Sequence, residues 1–150
     1  MEWITFFAAS WILFFALGLW RWKECKADYL GGIFSVCMQL YVDTLNIHEG
    51  NYVVDPVISL FGSSFFFTFG SVFTMGVLYV HYFPAKRWAR ILYLLFFFSS
   101  FNLQEYLLLK REVLKYIDWS FLHSMAVNFA AVAVLGWFAL VVLKKEGKLK

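Results

Sequence analysis

Five apolar stretches follow one another along the chain, at positions 3–20, 29–47, 57–80, 91–109 and 121–143. A helix that crosses a bilayer needs roughly 20 largely apolar residues, so the pattern predicts five transmembrane helices in one all-α membrane domain. The first stretch has no charge inside it. The second is interrupted by Gln39 and Asp43, and the fourth holds Asn102, Gln104 and Glu105. Polar groups at that depth must face protein or water rather than lipid. Asp55-Pro56 precedes the third stretch. Pro suits the first turn of a helix, where its missing N–H has no partner to lose, so a helix is expected from position 57.

Small residues in these stretches predict how the helices meet, because helices in lipid associate where backbones can approach closely. The third stretch carries Gly62, Ser64, Thr68, Gly70 and Ser71. Of these, Ser64, Thr68 and Ser71 recur at helical spacing, as do Ala126, Ala130 and Ala133 in the fifth. The third and fifth helices are therefore expected at the centre, and the uniformly apolar first one at the periphery. A contact with a second copy would draw on the same residues.

Composition turns this pattern into a class. Hydrophobic residues make up 62% of the 150 and charged ones 15%, against about 25% charged in a soluble domain. A water-soluble fold of this size keeps too much surface to hide so much apolar matter, so the bilayer is the expected partner. The net charge of +3 sits in short clusters between apolar stretches, which argues for topology signals rather than nucleic acid. If five spans alternate, Arg21, Lys23, Lys26, Lys86, Arg87, Arg90, Lys144, Lys145, Lys148 and Lys150 share one side, and Lys110, Arg111 and Lys115 the other. This asymmetry predicts an outside N-terminus and a cytoplasmic C-terminus. Trp3 and Trp119 would mark the outer boundary, Trp20, Trp22 and Trp88 the inner one. The start Met1-Glu2-Trp3 lacks the basic region of a signal peptide, so the first span is expected to stay uncleaved. Cys25 and Cys37 stand roughly 18 Å apart if helical, too far for a disulfide, and are expected as unpaired thiols.

Ionisable groups inside a membrane are functional candidates by default. Asp43 and Glu105 each lie four residues from the outer end of parallel spans, about 6 Å below the boundary. Gln39 shares a helical face with Asp43, and Asn102 one with Glu105; His123 enters the fifth span near the same level. The expected site is a polar pocket formed by Asp43, Glu105, His123, Gln39 and Asn102. Two carboxyls close together in a low dielectric cannot both ionise easily, so the pair would share a proton or hold a cation. The bland alternative is structural satisfaction, by snorkelling or by pairing with Lys110 or Arg111. His81 is expected as an interface residue. No H-E-x-x-H, G-x-S-x-G, P-loop or dinucleotide fingerprint occurs. Neither an enzyme, a metal site nor a cofactor is expected.

Tyr82-Phe83-Pro84 before a basic stretch, Glu105 late in the fourth span and Lys115-Tyr116-Ile117-Asp118-Trp119 leading into the fifth resemble a family of small five-helix membrane proteins from Gram-positive, spore-forming bacteria. The resemblance covers roughly residues 29 to 143. It implies a bacterial plasma membrane and five spans, and assigns no residue a role. Two functions follow as expectations: a non-enzymatic binding or assembly component working with a second copy or another membrane protein, and a small proton- or cation-coupled carrier using the two carboxylates.

Overall fold

The computed structural model describes residues 2–21 and 25–145. The expectations for Trp22, Lys23, Lys148 and Lys150 lie outside the described residues. Five helices dominate: α1 (Glu2–Ala16), α2 (Tyr29–His48), α3 (Phe65–His81), α4 (Arg87–Lys110) and α5 (Phe121–Val142). Of these, α2, α4 and α5 are long and apolar enough to cross a membrane, and α1 and α3 are shorter apolar helices. Four short strands join them: β1 (Tyr52–Val54), β2 (Ser59–Leu60), β3 (Ser63–Ser64) and β4 (Leu114–Tyr116).

Three of the helices, α1, α2 and α4, stop where the backbone turns left-handed. Gly18 at φ 70 ends α1, with Gly18 N–H on Phe15 O and Leu19 N–H on Phe14 O. The same closure ends α2 at Gly50 and α4 at Glu112, through Asn51 to Asn46 and Val113 to Leu108. These reach-back bonds satisfy carbonyls that the helix end orphans. Glycine adopts the conformation freely, whereas Glu112 at φ 58 adopts it against steric resistance. The turns at Gly50 and Glu112 deliver the chain into β1 and β4, which pair antiparallel with Tyr52 opposite Tyr116 and Val54 opposite Leu114.

The third helix departs from expectation. It starts at Phe65, not at 57, because β2 and β3 form a hairpin over Ser59–Ser64 turning on Phe61 and Gly62, both at positive φ. Positive φ at both central residues is what a tight hairpin turn requires. Asp55 N–H bonds to Val113 O and so extends the β1–β4 pairing to Pro56, where the absent N–H ends it. Ser64 then caps the helix, its Oγ accepting from Phe67 N–H. Gly62 thus serves the hairpin turn rather than helix packing.

At the centre of the bundle is α3, with Val77, Tyr79 and Val80 essentially inaccessible. Its small residues face two neighbours. A Cβ on Gly76 would sit 2.7 Å from Gly31 O and 2.4 Å from Ser35 Oγ on α2. A Cβ on Gly70 would meet the Phe7 backbone of α1 at 2.8 Å, and Ser71 Oγ reaches Ser10 Oγ at 3.1 Å. Ser64, Thr68 and Ser71 are buried. α5 packs on α4 and α2, but Ala126 and Ala130 lie on its exposed side. The inward face is instead Ser124, Val132, Leu135, Gly136 and Ala139. The polar Ser124 and Asn128 need partners, and that requirement orients the helix more strongly than the alanines do.

Candidate functional site

The paired strands lie over one end of the bundle. Side chains alternate across a strand, so Tyr52 and Val54 of β1 face inward with Tyr116 and Leu114 of β4, while Val53 and Lys115 are exposed. Beneath them is a cavity of about 120 Å³. Its walls include Gln39 and Asp43 from α2, Glu105 from α4, Ser124 and Asn128 from α5, and Ser63 from the hairpin. No Lys, Arg or His lines it among the described residues.

Each carboxylate takes a phenol from the strands above. Tyr52 Oη donates to Asp43 Oδ1 at 2.7 Å, in a buried bond. Tyr116 Oη donates to Glu105 Oε1 at 2.6 Å, and Asn128 Nδ2 donates to Glu105 Oε2 at 2.8 Å. Because Tyr52 and Tyr116 are opposite one another in the ladder, the two carboxylates hang from a single cross-strand pair. Tyr116 Oη also lies 2.9 Å from Ser124 Oγ. A phenol has one proton. With that proton on Glu105, Tyr116 accepts from Ser124, which itself accepts from Trp119 Nε1 at 2.7 Å. The result is a directed chain from the Trp119 indole to Glu105. Burial, and after it the Asp43 carboxylate, holds the Tyr52 phenol well above the ordinary tyrosine range. Burial and the bond to Glu105 do the same for Tyr116.

The residues expected in the pocket divide as follows. Asp43, Glu105 and Gln39 line the cavity. Asn102 stands behind the wall: it donates to Phe98 O at 2.7 Å and accepts from Asn128 at 3.4 Å, holding the amide that reaches Glu105. His123 lies elsewhere, exposed at the start of α5, with Nδ1 3.0 Å from the Ser120 hydroxyl and its ring against Trp119. It sits about 100° around the helix from Ser124, which takes the inward position. Tyr52, Tyr116, Ser124 and Asn128 are site residues that the sequence reading passed over. The Ser124–Asn128 pair at i, i+4 was a readable signal; the tyrosine pairing was not.

A second polar cluster occupies the opposite end of the bundle. His81 Nδ1, at the end of α3, lies 2.7 Å from Asp28 Oδ2 and 3.7 Å from Cys25 Sγ. Lys145 pairs with the other Asp28 oxygen. Cys25 and Asp28 are buried, and the His81 side chain is 30% exposed. His81 thus stands at the end of α3, partly exposed and bonded to the buried Asp28.

Comparison with protein-family models, curated proteins and solved structures finds no match to this chain.

Proposed function

We propose that this chain is a five-span plasma-membrane protein, N-terminus outside and C-terminus cytoplasmic, that binds a small positively charged organic molecule in the cavity at the outer end and catalyses no reaction. The observation that carries the reading is a cavity lined by two carboxylates and, among the described residues, by no cationic side chain. An uncompensated carboxylate pair in a low dielectric favours a cation in the space between. About 120 Å³ holds several waters or a small ammonium compound. Apolar and aromatic walls such as Phe67, Phe101 and Leu135 suit the carbon part of such a ligand.

The five-span reading is supported by how α1 and α3 sit. α3 is the most enclosed helix among three of spanning length, so it shares their depth, and α1 packs along it. Lys and Arg placement supplies the orientation. The resemblance to the spore-former family agrees with a bacterial plasma membrane.

A second reading, a proton- or cation-coupled carrier, is favoured by the hydrogen-bonded chain ending at Glu105. One experiment separates them. Protein in lipid nanodiscs is titrated with tetramethylammonium and short alkylamines, and the same compounds are assayed for uptake into proteoliposomes. Binding that Asp43→Asn and Glu105→Gln abolish, without uptake, fits the binding protein. Uptake lost in both variants replaces it with the carrier. Absence of both binding and uptake ends both readings.

A further inference from the structure

We propose that Cys25, Asp28 and His81 form a binding site for a thiophilic divalent metal ion of the zinc type, at the end of the bundle opposite the cavity. The site is independent of what the cavity binds. One ligand atom from each of the three residues falls within a sphere of mutual distances no greater than 4.8 Å. Thiolate, imidazole and carboxylate are the donor set that zinc takes in proteins. Bond lengths of about 2.0–2.3 Å place tetrahedral donor atoms roughly 3.3–3.7 Å apart. The 3.7 Å between Cys25 Sγ and His81 Nδ1 already matches that spacing. The 2.7 Å between His81 Nδ1 and Asp28 Oδ2 is a hydrogen bond that must open by about half an ångström to admit the ion.

Charge and access also fit. A bound divalent ion displaces the thiol proton of Cys25 and takes the place of the hydrogen bond between Asp28 and His81. Thiolate and carboxylate together then balance the ion. Lys145 stays on the second oxygen of Asp28, where it orients the ligand from outside the coordination sphere. Cys25 and Asp28 are 3% and 2% exposed, so the donors are preset with little freedom to lose. The partly open His81 supplies the entry path, and three protein ligands leave a fourth position for water or an exchanging partner.

The elements explain why three scattered residues converge. Asp28 and Cys25 belong to the turn before α2, and His81 closes α3. The two helices approach as closely as Gly31 and Gly76 allow, which draws the start of one onto the end of the other. A soft-ligand preference follows from the thiolate, so magnesium and calcium should be refused.

The test uses untagged full-length protein in detergent, with Co²⁺ as the spectroscopic probe and Zn²⁺ for metal analysis. About one Co²⁺ per chain is expected, with a thiolate-to-metal charge-transfer band and tetrahedral ligand-field absorption. Cys25→Ser should remove the band, and His81→Ala should lower affinity at least tenfold, while Cys37→Ser changes neither. If a variant fails to fold, melting of the parent chain decides: micromolar Zn²⁺ should raise the melting temperature and Mg²⁺ should not. Absence of the charge-transfer band in the parent, metal content unchanged in Cys25→Ser, or equal melting with and without Zn²⁺ would each overturn the proposal.

Discussion

Two phenols set the chemistry of the cavity at the scale of single residues. Tyr52 and Tyr116 each give their only proton to a carboxylate. Replacing either by Phe leaves that carboxylate short of a donor in a mostly apolar enclosure. Each of Tyr52→Phe and Tyr116→Phe is expected to cost about 1–3 kcal/mol, measured by reversible unfolding in detergent. Their titration adds a sign. The folded chain holds both phenolic protons more tightly than the unfolded chain, since burial and the neighbouring carboxylates raise both groups. Stability is therefore intact below the ordinary phenol value of about 10 and declines as pH climbs past it. Tyr52→Phe should flatten part of that decline. An unchanged alkaline limb in both variants would contradict the assignment.

The elements carry a different set of constraints. Backbone contact between α2 and α3 at Gly31 and Gly76 leaves no room for a side chain. Gly76→Leu is expected to destabilise by about 1–3 kcal/mol or more, whereas Ala130→Leu, on the exposed side of α5, should leave the melting temperature within about a degree. Thermal melting of the two variants side by side checks this, and equal losses would refute it. The pair also marks what the sequence made legible. Glycines and hydroxyl residues in the third apolar stretch do mark a close approach, but spacing alone does not tell which neighbour receives it. Ala126 and Ala130 of α5 recur at the same spacing and face away. Asp43 and Glu105 could be placed because helical periodicity is local. Their phenols could not, because the Tyr52–Tyr116 pairing joins residues far apart in the chain through strands only three residues long. Pro56 misled for a similar reason: it ends a strand where it could as well have begun a helix.

Across the whole molecule, the helix ends sort into two faces. Trp3, Gly50, the β1–β4 pair and Glu112 share one face, and Leu19, Cys25, His81 and Lys145 share the other. The proposed orientation assigns the first face to the outside, because Arg21, Lys26, Lys86, Arg87, Arg90, Lys144 and Lys145 adjoin the helix ends of the second. A reporter fused after Lys150 is expected to be active in the cytoplasm, and one inserted at Asn51 outside. Periplasm- or surface-specific activity of the C-terminal fusion would reverse the assignment.

The cross-strand ladder has a consequence in time as well as in space. Tyr52 and Tyr116 form one rung of a short ribbon, and an isolated two-stranded ribbon is marginal on its own. Loss of that backbone pairing removes the support of both rings at once. Opening of the ribbon is therefore expected to free the phenols from Asp43 and Glu105 together. If the proposed ligand enters by that opening, its dwell time should follow the lifetime of the ribbon's amide protons in heavy water.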